Sequence, residues 1–166
     1  MALHAQRAFT LLELMLVLSL AVVSASLAVP ELGRQLSRWQ MQAVAERLSH
    51  DMAAARFAAV QQRSAQYLRV QSGQTWCWSV SALPNCPCDA EQQCQTQRVA
   101  APSRGRITLG QDTVMRFEPT ADAQLMAATP LEVRSPHGEA LRVQLTPLGR
   151  ARVCSVDTAR LGYVAC

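Results

Sequence analysis

Residues 9–29 read FTLLELMLVLSLAVVSASLAV, apolar throughout except for small hydroxyl residues and one carboxylate, Glu13. A helix that crosses a bilayer needs about 20 apolar residues, and this run meets that length. The leader before it, MALHAQRA, carries one permanent side-chain charge, Arg7, and Pro30 closes the run. A carboxylate inside such a span costs on the order of 3 kcal/mol at the bilayer centre, so by default it marks function. Two alternatives are an ordinary membrane anchor and a secretory signal cut after the apolar run, near Ser24-Ala25-Ser26. A carboxylate so early in the run suits neither.

Helical periodicity resumes directly after Pro30, so the proline is expected to kink the helix and not to end it. Leu32, Leu36, Trp39, Ala43, Leu48, Met52, Ala55 and Ala59 form an apolar stripe at three-, four- and five-residue steps. Arg34, Arg38, Glu46, Arg47, Asp51 and Gln62 mostly lie off it. This is the pattern of an amphipathic helix with one face on a core. From Phe9 to about Gln62 the helix spans roughly 80 Å.

Beyond Gln62 the period changes to that of strands. Candidate strands are residues 66–71, 75–80, 106–109, 113–118, 131–135, 139–146 and 150–156, separated by Gly- and Pro-rich breakers such as Ser72-Gly73 and Pro136-His137-Gly138. The expected fold class is therefore α+β: a long N-terminal helix packed on a small antiparallel β-sheet head. The stretch 81–103 has little periodicity and reads as a disulfide-stapled loop exposed on the head.

The six cysteines are Cys77, Cys86, Cys88, Cys94, Cys154 and Cys166, all beyond the apolar run. An even count in that position points to disulfides and an oxidising compartment. A zinc site is the competing reading, but no CxxC pair is present and no His lies nearby. Six cysteines allow fifteen pairings. The expected one joins Cys154 to Cys166, tying down the tail, with the other four paired among themselves. No metal or other cofactor is expected.

The formal charge is +4, and all 16 Lys and Arg residues are Arg. Arg suits bidentate phosphate contacts better than Lys does. In the last hairpin, Leu141, Val143 and Leu145 alternate with Arg142 and Gln144, and Ala151 and Val153 alternate with Arg150 and Arg152. Arg142, Arg150 and Arg152 are thus expected on one exposed face, with Gly149 leaving the turn backbone accessible and Arg160 nearby. Glu139 and Asp157 are the local counter-charges. Such a face is a weak phosphate-binding patch, or simply a solvated hairpin surface. His4, His50 and His137 are scattered, and no Gly-rich phosphate loop, HExxH or GxSxG occurs. The chain is expected not to be an enzyme.

The segment Ala8-Phe9-Thr10-Leu11-Leu12-Glu13-Leu14-Met15 resembles the N-terminal signature of type IV prepilins and type II secretion pseudopilins. The resemblance implies a type IV pilin fold and a prepilin peptidase cut between Ala8 and Phe9, with Phe9 then N-methylated. Ala8 departs from the family's usual Gly. It also implies that Glu13 of one subunit pairs with the terminal amine of a neighbour in a filament. Residues 45–70 resemble the helix-to-strand region of the GspH/FimT group of minor pilins. Gly149-Arg150-Ala151-Arg152 is similar to the GRxR motif of FimT-type minor pilins, which implies binding of extracellular DNA through Arg150 and Arg152 for uptake in natural transformation. Arg142 and Arg160 join that site by face and position.

The expected partners are other pilins, the prepilin peptidase, DNA and the inner membrane. The expected parts are a leader (1–8), a membrane and filament-core helix (9–29), an amphipathic helix (30–62) and a disulfide-containing head (63–166). The head would lie in the periplasm before assembly and at the cell surface afterwards. The alternative function is a structural minor pilin or pseudopilin, FimU- or GspH-like, that primes pilus or pseudopilus assembly.

Overall fold

A computed structural model of the chain describes residues 10–89, 91, 93–102, 106–120, 130–146, 149–157 and 162–166, the side chains of Leu27 and Pro30 excepted. It divides into two compact units, Met1–Leu36 and Ser37–Cys166. Helix α1 (Leu11–Gln62) is continuous through Pro30. Thr10 caps its start: the Thr10 Oγ1 accepts the Glu13 backbone N–H at 3.2 Å, which satisfies one of the orphan donors of the first turn. In the first unit, every large apolar side chain described between Leu11 and Val23 is more than half exposed. This is the one described helix long and apolar enough to cross a membrane.

In the second unit the buried face of α1 is Ser37, Met41, Ala45, Leu48, Met52, Ala55 and Ala59. The expected stripe is right from Leu48 onward and wrong before it. Leu32, Leu36 and Trp39 are 71%, 54% and 65% exposed, and Ala43 is exposed as well. The error lies in the five-residue step from Ala43 to Leu48. At 100° per residue it overshoots a full turn by about 140° and so crosses to another face. The helix ends in a Schellman arrangement, with Ser64 N–H bonded to Ala59 C=O and Arg63 N–H to Val60 C=O. Arg63 takes the left-handed conformation there, at φ 49°.

Eight strands follow: β1 (Gln66–Gln71), β2 (Cys77–Ser81), β3 (Gln95–Ala100), β4 (Thr108–Leu109), β5 (Thr113–Phe117), β6 (Leu131–Arg134), β7 (Ala140–Leu145) and β8 (Ala151–Ser155). They form two antiparallel sheets, ordered β3-β2-β1-β5 and β4-β6-β7-β8. The core gathers Leu68, Trp78, Phe117, Leu131, Leu141 and Val143 from the sheets against Met41, Leu48 and Met52 of the helix. Strand β4 is shorter than the expected 106–109, and just before it the Ile107 carbonyl accepts the Trp76 indole N–H at 2.8 Å.

Residues 81–103 are not simply an exposed loop, because β3 lies within them and pairs with β2. Its sequence, QTQRVA, offers almost no apolar periodicity, which is why the strand is missed from sequence. The residues before it fold over the outer face of β2. Disulfides Cys77–Cys88 and Cys86–Cys94 fasten them, and the Arg98 Nε donates to the Cys88 carbonyl at 2.7 Å. Cys77, Ser79 and Ser81 are buried beneath them, and Trp78 and Val80 are buried in the core on the other face, so all five residues of β2 are buried.

Asp51 is the other departure. The helical spacing sets it off the packed stripe, yet it is fully buried. Its Oδ2 accepts the Trp78 indole N–H at 2.8 Å, and its Oδ1 accepts the Gln97 amide at 2.7 Å. Arg47 sits 3.3 Å from the same Oδ1, one turn earlier on the helix. A buried charge is tolerated only when it is paired and hydrogen-bonded in this way. Asp51→Ala leaves the Trp78 and Gln97 donors without a partner. It is expected to destabilise the head by about 3 kcal/mol, measured by denaturant unfolding of the detergent-solubilised chain and followed by tryptophan fluorescence.

Candidate functional site

Strands β7 and β8 pair Arg142 with Cys154, Gln144 with Arg152 and Leu145 with Ala151. Side chains alternate across a sheet, so Leu141, Val143, Ala151 and Val153 face the core, while Arg142, Arg152 and Cys154 share the outer face. Arg150 and Arg152 are exposed and stand about 6.6 Å apart along the strand. Neither has a carboxylate partner among the described residues. Arg160, Ala8 and Phe9, expected as site residues, lie outside the described residues.

Arg142 does not join the exposed pair. Its Nη2 donates to Glu132 Oε1 at 2.9 Å, and Arg134 takes the other oxygen of the same carboxylate. The Arg142 guanidinium holds the Glu132 carboxyl below the usual carboxylate range. The tether is therefore complete above about pH 4.5 and loosens as pH falls through the lowered value. Glu132, on the neighbouring strand, is the counter-charge that inspection of the hairpin alone misses. Glu139, expected to oppose the arginine face, is instead bound to Arg38 of the helix at 2.7 Å.

Gly149 also departs from expectation. It is buried, with φ at 70°, and a Cβ built on it would lie 1.4 Å from Arg56 Nη1. The Arg56 side chain covers the turn that was expected to be open. No sequence signal links Arg56 to the hairpin, beyond the small residues Ala53 and Ala55 beside it. Ala53, Arg56, Phe57 and Val60 of the helix and Gly149, Arg150 and Ala151 of the hairpin together line a groove. Phe57 and Val60 are 63% and 51% exposed.

The tail closes the other end of β8. Cys154 is disulfide-bonded to Cys166. Ser155 N–H donates to the Val164 carbonyl at 2.9 Å, and Cys166 N–H donates to the Ser155 carbonyl at 3.0 Å. The Tyr163 hydroxyl donates to Glu46 of the helix. Burial, then the Glu46 carboxylate, push the Tyr163 hydroxyl up to about 12. All described cysteines are in disulfides, and no cluster of His, Cys, Asp and Glu able to hold a metal occurs among the described residues.

A family model described as Type II transport protein GspH matches residues 44–149, and the Prokaryotic N-terminal methylation motif matches residues 3–29. Two solved structures share the fold, both of the type IV minor pilin FimU of Pseudomonas aeruginosa strain PAO1, in different crystal forms. One is 15% identical with a TM-score of 0.52 and covers 70% of this chain and 97% of that one. The other is 16% identical with a TM-score of 0.52 and covers 72% and 95%. The fold is thus the α+β type IV pilin fold, a long N-terminal helix on an antiparallel β head. No curated protein sequence matches the chain.

Gly149→Ala places a methyl group against Arg56 in a backbone conformation that L side chains rarely adopt. It is expected to displace the guanidinium and to cost about 1–2 kcal/mol, read as a lowered denaturant midpoint. Ala at the open Gly138 turn shares only the backbone strain and serves as the reference.

Proposed function

The chain belongs to the GspH family of type II transport proteins, and from that premise we propose that it is a structural minor pilin or pseudopilin that primes assembly of a pilus or pseudopilus. The observation that carries this reading is the uncovered apolar surface of α1. Its large side chains from Leu11 to Val23 are more than half exposed, and Trp39 on the head-bearing half is 65% exposed. A bilayer covers the first set before assembly, and helices of neighbouring subunits cover it afterwards.

The methylation motif supports processing between Ala8 and Phe9. Glu13 then sits one helical turn from the new amino terminus, where it meets the terminal amine of a neighbour and sets the axial register. In this reading the chain is held in the inner membrane with its head in the periplasm before it enters the filament. The disulfides suit that compartment.

The FimT-like reading, capture of extracellular DNA, rests on the GRxR resemblance at 149–152. The geometry lends it less. Arg142 is engaged by Glu132, Gly149 is covered by Arg56, and two exposed arginines on one strand give at most a short phosphate contact.

The two readings separate in cells that lack the gene. Filament formation or secretion is expected to fail and to be restored by the intact chain and by Arg150→Gln plus Arg152→Gln, but not by Glu13→Ala. Normal filaments without the gene, with only DNA uptake lost and not rescued by the double arginine variant, would overturn the assembly reading.

A further inference from the structure

Strand β8 is the last strand of its sheet. Thr146 N–H donates to the Arg150 carbonyl at 2.9 Å, and Val156 N–H donates to the Ala140 carbonyl at 3.2 Å. In an antiparallel ladder every second residue faces the neighbour strand. Arg150, Arg152, Cys154 and Val156 therefore bond toward β7, while Ala151, Val153 and Ser155 point their N–H and C=O groups out of the sheet. The chain's own tail satisfies Ser155 by pairing Ala165 with it in parallel. At Ala151 and Val153 no described residue does the same.

The helix runs alongside this edge. Tyr163 of the tail reaches Glu46, and Arg56 covers Gly149. From Glu46 to Arg56 the helix advances about 15 Å, and going back along the antiparallel strand from Ser155 to Ala151 covers about 13 Å in the same direction. The channel between helix and strand is thus one feature with two halves. The tail occupies the half at Ser155. The half at Ala151 is the groove lined by Ala53, Arg56, Phe57 and Val60 of the helix, and no described residue pairs with the strand edge there.

We propose that the open half of the β8 edge receives an extended segment of another protein, in which apolar and acidic residues alternate. An added strand bonds its backbone to Ala151 and Val153, as the tail bonds to Ser155. Its side chains then alternate between the two faces of the sheet. Those on the core side enter the groove against Phe57 and Val60, and are apolar. Those on the outer side lie beside Arg150 and Arg152, which have no carboxylate partner among the described residues, and are acidic. A nucleic acid backbone would use the two arginines but neither the apolar groove nor the strand edge, so the surface favours a peptide. The inference rests on the assembly reading only in taking the occupant to be a protein subunit.

The test is a titration of the full chain in detergent with a labelled, end-blocked seven-residue peptide alternating Glu and Val, and in parallel with a labelled DNA duplex. Saturable peptide binding is expected. It should weaken at least tenfold in Ala151→Pro, which removes an edge N–H that β7 does not use and is tolerated on an edge strand. Phe57→Ser, at an exposed position, should weaken it similarly and decides the matter if Ala151→Pro lowers the unfolding midpoint. Arg150→Glu plus Arg152→Glu should also abolish it. No peptide binding, or peptide binding indifferent to both Ala151→Pro and Phe57→Ser, overturns the proposal. So does duplex binding lost with the arginines in the absence of peptide binding. The titration reads the edge alone, whereas rescue of filaments reads assembly, so either can fail without the other.

Discussion

Asp51 is a carboxylate with no exposed surface on a helix that must hold two sheets. Leaving it unpaired there would outweigh the gain from several buried apolar side chains nearby. Trp78 and Gln97 supply the donors, one from β2 and one from β3. The bond therefore fixes where along the helix the first sheet sits, and with it the register of Leu48, Met52 and Ala55 against the core. Apolar contacts alone tolerate sliding, whereas a buried ionic hydrogen bond does not. The Trp76 ring stacks on Trp78 with centroids 5.2 Å apart, and its own indole N–H reaches across to Ile107. The constraint thus passes from the helix through the first sheet toward the second.

Much of this was legible in the sequence. The apolar run with its early carboxylate, the change of period near Gln62 and the alternation in β7 and β8 follow from side-chain spacing, and the described elements track them closely. What was illegible has particular causes. Asp51 reads as surface because charge normally is, and its partners lie on strands far away in the chain. Strand β3 is an edge strand of polar residues whose inward position is taken by Gln97. Trp39 and its neighbours read as core because apolar spacing does not say which of two apolar faces meets the sheet. The hairpin showed Arg150 and Arg152 correctly as exposed. It hid Glu132 and Arg56, which belong to the neighbouring strand and to the helix.

The exposed face of α1 bears on function. The helix carries two apolar faces, and the head uses one. The remainder, on Leu11 to Val23 and again at Trp39, is surface that a lone chain in water would not keep. A subunit whose helix is meant for a bilayer and then for other helices keeps it. The head has its own closed core and three disulfides. That core includes Met41, Leu48 and Met52 of the helix, so the head and this half of α1 fold as one unit.

The central claim is that the face of α1 bearing Trp39 is covered by neighbouring subunits. A photo-crosslinking amino acid in place of Trp39, irradiated in intact cells and followed by mass spectrometry of sheared filaments, tests it directly. The account expects adducts with the N-terminal helices of other subunits that carry the methylation motif. Filaments that contain the labelled chain but yield no such adduct would contradict it.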